Sequence, residues 1–143
     1  MEFTDIFARA NGALHDVCYH INQLYREDKA FRAAHPIYSE NHVFDKDKGE
    51  AWNKEEVERR HNEREKGLEK YNAQYDVCFE EARNVIRKYI QQEFGLPQPI
   101  VDKVYLKARK RVKYAGWFDI LNAAREIGEE VKELLDLYEQ SKP

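Results

Sequence analysis

Two groups of residues in this 143-residue sequence have the types and spacing that can bind a metal ion. His15 and Cys18 are one helical turn apart, and Cys78 is a third ligand that a neighbouring helix can supply. Structural zinc sites usually contain a tighter pair, such as two cysteines separated by two residues, and the sequence has none. Glu58 and His61 form a single Glu-x-x-His motif, whereas dimetal carboxylate bundles use two such motifs and two further glutamates. We therefore predict no metal site and no cofactor.

A third group consists of four glutamates on one predicted helix face, namely Glu126, Glu129, Glu130 and Glu133. Carboxylates of this kind can hold Mg²⁺ for nucleotide hydrolysis, and the group is similar to the acidic helix of all-α nucleotide pyrophosphatases. That similarity implies a second acidic helix after it, which the sequence does not show. The same spacing also describes a solvated helix face. We also find no glycine-rich phosphate loop and no serine or cysteine nucleophile in a recognisable turn, so we predict no catalytic residues and no enzymatic activity.

The clearest functional signal is a basic face on a predicted helix over residues 99–115. Six cations lie between Gln98 and Ala115, and only Asp102 is acidic there, which leaves a net charge of +5. The candidate partner-binding residues on this face are Lys103, Lys107, Lys110, Lys113, Arg109, Arg111 and Tyr114. Lysines at this spacing can bind phosphates without sequence specificity. They can equally contact an acidic protein surface, including the acidic helix of a second copy.

These observations lead to three functional interpretations in order of preference. The first is a small non-enzymatic protein-binding module that acts as an adaptor, regulator or inhibitor. By analogy with compact, charge-rich chains of this kind, it is a candidate phage or mobile-element accessory protein. A homodimer is a further option. The second is nucleic-acid binding through the basic helix. A helix-turn-helix protein would place its second helix in the major groove, and here that helix is acidic. The third is a metal-dependent nucleotide hydrolase that uses the four glutamates.

Hydrophobic periodicity predicts an all-α, single-domain bundle of four helices over residues 1–143. The first helix runs from about residue 4, where Thr4 can cap it, to about residue 28. The second spans about 54–94, with Asn53 as N-cap, Glu56 as its capping-box partner, and Gly95 closing the helix. Its charged first half is expected to protrude as a solvated arm or to bend near Gly67. The last two helices cover about 99–115 and 117–139, the latter with the acidic glutamates on its outer face.

The apolar periodicity is lost between residues 29 and 52. Pro36 disfavours helix at His35, and aromatic residues occur without a helical period, including the candidate binding residues Tyr38, His42 and Phe44. A small hairpin around residues 39–42 is one interpretation of this segment. Long loops are often functional, and the alternative is that the aromatics cap one end of the bundle.

Composition supports a folded protein of cytoplasmic location. Charged residues make up 36% of the chain, yet the net charge is only −3. The sequence shows no signal peptide and no uncharged stretch long enough for a membrane helix, so we expect no membrane association. Cys18 and Cys78 lie on apolar helix faces, and we predict reduced thiols rather than a disulfide, with Cys78 buried.

Overall fold

The fold is all-α, as the sequence predicts. The computed structural model describes residues 5–113 and 116–142, and the described residues contain four helices and no strand. The helices are α1 (Ile6–Ala34), α2 (Gly49–Phe94), α3 (Gln98–Arg111) and α4 (Trp117–Gln140). They form two compact units. Unit 1 consists of Met1–Tyr19 and Phe79–Pro143, and unit 2 consists of His20–Cys78.

The helix boundaries follow local chemistry. Asp5 caps α1, because its Oδ1 accepts a hydrogen bond from the Phe7 amide at 3.0 Å; the predicted cap Thr4 lies outside the described residues. Helix α1 continues six residues past the predicted end and stops at Ala34, before His35 and Pro36, as expected from the restricted backbone of a residue that precedes proline. Gly95 ends α2 in the left-handed conformation, with φ at 60°. That end of α2 is therefore confirmed.

The start of α2 differs from the prediction. The helix begins at Gly49, five residues before the predicted start, and Asn53 lies inside it rather than at its N-cap. The Asn53 side chain accepts hydrogen bonds from the Phe44 and Asp45 amides, at 2.8 and 3.2 Å, and donates to the Gly49 carbonyl at 2.7 Å. The predicted capping box is therefore wrong. The Asn53 side chain binds the preceding loop instead, and the local sequence pattern around Asn53 contains no signal for such contacts.

Unit 1 has a continuous apolar core. The seam predicted for α1 supplies Leu14, and α2 supplies Ile86, Tyr89 and Ile90, all at most 2% exposed. Helix α3 packs on α4 and buries Val101, Val104, Tyr105 and Ala108. The helix ends at Arg111. Tyr114 and Ala115, which the prediction included in this helix, lie outside the described residues. At the start of α4, the Asp119 carboxylate accepts a hydrogen bond from the Gly116 amide at 3.2 Å.

Unit 2 joins the second half of α1 to the first half of α2 through residues 35–48. The Phe31 ring lies against Gly67 so closely that a β-carbon there would overlap it. Helix α2 is uninterrupted through Gly67. One face of its charged half is covered, because Val57 is 9% exposed and the Arg64 side chain is 13% exposed and donates to the His35 carbonyl at 3.1 Å. Within unit 2 the charged half of α2 is therefore covered on this face, while most of its other residues are exposed and Arg59 and Arg60 form the expected mixed-sign pairs with Glu56.

The hairpin interpretation of the loop is also wrong. Residues 35–48 contain turns and no strand. The amides of Phe44 and Asp45 donate to the Asn53 side chain, so they are not available to pair with another strand. Ile37 and Val43 are 77% and 57% exposed, while their neighbours Tyr38 and Phe44 are half-buried.

Candidate functional site

The apolar face of α4 is buried along its first half and only partly covered along its second, where Val131 and Leu135 are half-buried. Ile120, Leu121 and Ile127 are 8%, 1% and 2% exposed, whereas Leu134, Leu137 and Tyr138 are 66%, 61% and 61% exposed. We call these last three residues the α4 apolar patch. Surface leucines occur singly on most proteins, but three large apolar side chains within one and a half turns form a contiguous patch.

The helices of unit 1 explain why the burial stops. Gly128 is the point at which α4 passes the last residue of α2, because a β-carbon at Gly128 would overlap the Phe94 ring. From Gly128 to Gln140 the helix continues for about 18 Å at the usual rise per residue. Helix α4 has 24 residues and its neighbour α3 has 14. The patch therefore lies on a part of α4 that extends beyond the end of α2.

Two carboxylates border this patch without a partner of their own. Glu130 precedes Leu134 by four residues and Glu133 precedes Leu137 by four, so each lies one helical turn away on the same side of the helix. Both glutamates are exposed, and neither forms an ion pair with any described residue. They are two of the four acidic-face residues that the sequence singled out.

The other two predicted glutamates are paired. Glu126 forms an ion pair with Arg111 of α3 at 3.1 Å, and Glu129 pairs with Arg125 at 3.6 Å. Further along α4, Lys132 pairs with Asp136 at 3.5 Å. Each of these residues is about half exposed, so the pairs contribute little to stability. The four glutamates do not converge on a common point, and within the described residues no three His, Cys, Asp or Glu side chains are grouped as a metal site.

The basic face of α3 is exposed as predicted. Lys103, Lys107, Lys110, Lys113 and Arg109 are all exposed, while Arg111 contacts α4 through Glu126. Leu106 lies among the lysines and is 49% exposed. Tyr114, the remaining candidate on this face, lies outside the described residues. The structure therefore places five cations on a surface that a partner can reach, and it joins the sixth to the acidic helix.

A buried phenol lies behind this basic face, and the sequence did not single it out. Tyr105 is 1% exposed, and its hydroxyl has no hydrogen-bond partner among the described residues. The Arg87 guanidinium of α2 lies 4.8 Å from the centre of the Tyr105 ring, and its Nε is 3.6 Å from the Asp102 carboxylate. Burial raises the pKa of Tyr105 against the opposing charges of Arg109, Arg83 and Arg87.

The three loop candidates form one aromatic cluster. The rings of Tyr38 and His42 are 4.9 Å apart, those of Tyr38 and Phe44 are 4.9 Å apart, and those of His42 and Phe44 are 4.3 Å apart. The Arg60 guanidinium lies 4.0 Å from the centre of the Phe44 ring, a distance typical of a cation–π contact. Tyr38 and Phe44 are half-buried and His42 is exposed. The cluster covers one face of α2 in unit 2, and a role in binding stays a prediction.

The Glu-x-x-His motif lies beside this cluster. Glu58 and His61 are both exposed. They line an open cavity of about 350 Å³, together with Tyr38, Glu40, Lys54 and Val57. The Lys54 amine shares the cavity with the Glu40 and Glu58 carboxylates, so these charges balance in part. In the part of the chain that the structure describes, no three potential ligands are grouped as a metal site.

The remaining metal candidates are not arranged as a site. The His15 ring packs on the Phe118 ring, with centres 4.5 Å apart. Cys18 and Cys78 are not joined in a disulfide and are each half-buried, so Cys78 is less buried than predicted. Desolvation raises the pKa of Cys18, which lowers its thiolate fraction and its reactivity at neutral pH.

The periodicity predicts that two residues of the α4 apolar patch, Leu134 and Tyr138, lie on the core face, because they continue the stripe of Ile120 and Ile127. The sequence signal that could have identified the exposed patch is the predicted length of the fourth helix. The predicted fourth helix is longer than its predicted neighbour over residues 99–115, so a continuous stripe on it has no equal partner to pack on. Periodicity alone contains no such information.

None of the helices in the described part of the chain has the length and apolar character needed to cross a lipid bilayer. No protein-family model matches the chain, and neither a curated protein nor a solved structure matches it.

Proposed function

We propose that this protein is a non-enzymatic protein-binding module that binds a partner protein through the α4 apolar patch. The observation that supports the proposal most strongly is the exposure of Leu134, Leu137 and Tyr138 on a helix whose first half is buried. Exposed apolar side chains cost free energy in water, by about 25 cal/mol for each Å² that a partner would cover. Contiguous patches of this kind are typical of protein-interaction surfaces.

The proposal can be tested by comparing two variants in affinity purification from the native cell. In the Leu134→Ser, Leu137→Ser double variant, the apolar contact is removed from the patch. The Leu106→Ser variant is the matched control, since Leu106 is an exposed leucine on the basic face of α3. We expect a stoichiometric protein to co-elute with the wild type and the control and to be absent with the double variant. A partner retained equally by all three proteins would contradict the proposal.

Nucleic-acid binding through α3 is the second candidate, favoured by the exposure of Lys103, Lys107 and Lys110. The acidic outer face of the neighbouring α4 argues against it, since a polyanion that extended beyond α3 would be repelled. We therefore expect labelled DNA or RNA to bind weakly at about 150 mM salt in fluorescence anisotropy. Micromolar binding that is lost in a Lys103→Glu, Lys107→Glu, Lys110→Glu variant, with a log–log salt slope of about three or four, would establish the second candidate instead.

We also propose that the protein is cytoplasmic. Its two cysteines are not joined in a disulfide, and reduced thiols are typical of that compartment.

A further inference from the structure

The charges beside the α4 apolar patch restrict the kind of partner that it can bind. Glu130 and Glu133 lie one turn before Leu134 and Leu137 and have no ion-pair partner among the described residues. Over residues 129–142, five carboxylates stand against two lysines. Both lysines are already paired, Lys132 with Asp136 and Lys142 with Glu139. The available charge next to the apolar side chains is therefore negative.

We propose that the α4 apolar patch binds a basic amphipathic helix of another protein, with the apolar ridge of that helix on Leu134, Leu137 and Tyr138 and its lysines or arginines on Glu130 and Glu133. This inference rests on the proposed function and adds the chemistry of the partner. An amphipathic helix is the natural occupant of a short apolar face, because its side chains at i, i+3, i+4 and i+7 form a matching ridge. Opposite charges at the edge of the interface speed association and fix the register.

Two copies of this chain fit the surface less well. A second α4 would bring five more carboxylates to the same place, and like charges across an interface are unfavourable. The basic face of α3 in a second copy has the right charge, but among its described residues Leu106 is the one large exposed apolar side chain. Neither surface of the chain combines an apolar ridge with flanking cations, so we assign the patch to a different protein.

The test uses three fluorescein-labelled synthetic peptides of about 18 residues, long enough for five helical turns. In the basic amphipathic peptide, leucines at i, i+3, i+4 and i+7 are flanked by lysines. The acidic amphipathic peptide has glutamate at every lysine position, and the scrambled basic peptide has the first composition without the helical stripe. Fluorescence anisotropy with the full-length protein gives the dissociation constant of each. We expect the basic amphipathic peptide to bind at least tenfold more tightly than the other two.

Variants then connect this binding to the surface. The Leu134→Ser, Leu137→Ser variant should weaken binding of the basic amphipathic peptide at least tenfold, and Leu106→Ser should leave it unchanged. The Glu130→Gln, Glu133→Gln variant should weaken it about threefold at low salt, as expected for exposed charge pairs, and the difference should shrink as salt rises. Because all these positions are exposed, melting curves of the variants should match the wild type.

Each alternative outcome is informative. If the acidic peptide binds as well as the basic one and both depend on Leu134 and Leu137, the partner class is wrong while the proposed function stands. If no peptide distinguishes the wild type from the leucine variant, both are overturned. If sedimentation shows a wild-type dimer that the leucine variant dissociates, the occupant is a second copy and this inference is overturned.

Discussion

The two halves of α4 have the same pattern of apolar residues and different surroundings. In the first half, Leu121 and Ile127 are packed against the other helices of unit 1. In the second half, Leu134 and Leu137 are exposed to solvent by more than 60%. Since the pattern repeats every three or four residues in both halves, amphipathicity alone does not distinguish a core face from a binding face. The difference comes from the end of α2 near Gly128, beyond which α2 no longer covers α4 and Val131 and Leu135 are only half-buried.

The largest expected effect comes from truncating one leucine in each half. Leu121→Ala should lower the free energy of unfolding by about 3 kcal/mol, because it leaves a cavity in a packed core. Leu134→Ala should change it by less than about 0.5 kcal/mol, as surface substitutions usually do. Urea denaturation followed by circular dichroism measures both. Equal losses for the two variants would mean that the second half of α4 is covered in solution.

A second effect extends the comparison to unit 2. There the polar side chain of Asn53, rather than an apolar stripe, connects α2 to the loop that packs on it. Asn53→Ala should destabilise the protein by about 2 kcal/mol, because the half-buried amides of Phe44 and Asp45 lose the acceptor supplied by the buried Asn53 side chain. Asn62, an exposed residue of the same helix, is the matched control, and Asn62→Ala should be neutral or slightly stabilising. Chemical denaturation measures the two variants, and a neutral Asn53→Ala would show that the loop does not depend on this side chain.

A third effect locates the boundary between the halves of α4. Gly128→Ala should destabilise the protein by about 1 kcal/mol, because overlap with the buried Phe94 ring outweighs the better helix propensity of alanine. Gly12→Ala in α1 should instead stabilise it by about 0.5–1 kcal/mol, since no atom lies within 4 Å of a β-carbon built there. Thermal melts of the two variants should move in opposite directions. A stabilised Gly128→Ala variant would place the contact with α2 elsewhere.

The smallest effect is the pH dependence of stability that Tyr75 contributes. Tyr75 is half-buried, in contrast to the exposed Tyr138. Desolvation, followed by the charge of Asp28 and a hydrogen bond to it, raises the pKa of Tyr75 to about 12 from an ordinary value of 10. The folded state therefore disfavours ionisation of this phenol. Its contribution to stability is complete below pH 10 and is lost as the pH rises towards 12. The difference in melting temperature between wild type and Tyr75→Phe should shrink over that interval, and a constant difference would contradict the assignment.

The exposed loop residues Ile37 and Val43 and the α4 apolar patch also differ in how the surrounding structure supports them. Ile37 and Val43 are exposed on a loop that is held by the hydrogen bonds of Asn53 and by the contact of Arg60 with Phe44. The α4 apolar patch is part of a regular helix and needs no such support. A partner of the loop would meet a surface fixed by long-range contacts, whereas a partner of α4 would meet a simple amphipathic helix.

Local sequence signals were sufficient for much of this architecture. The alternating steps of three and four in α1, α3 and α4 determine the helical class and identify most core positions, including Leu14, Val101 and Leu121. Gly95 and Pro97 determine where α2 ends and α3 begins, because a left-handed glycine and a proline act on the backbone over two or three residues. The exposure of Lys103, Lys107 and Lys110 also follows from their position on the side of α3 opposite its buried apolar residues.

Other features depend on contacts between residues far apart in the chain, and only the tertiary structure decided them. Asn53 has the side chain of a helix cap, yet it lies within α2 because the amides of Phe44 and Asp45 come within hydrogen-bonding distance. Leu134 has the spacing of a core residue, yet it is exposed because α2 ends at Phe94. Whether an apolar side chain is buried depends on the length and placement of its neighbours, and the residues of α4 by themselves do not encode where those neighbours end.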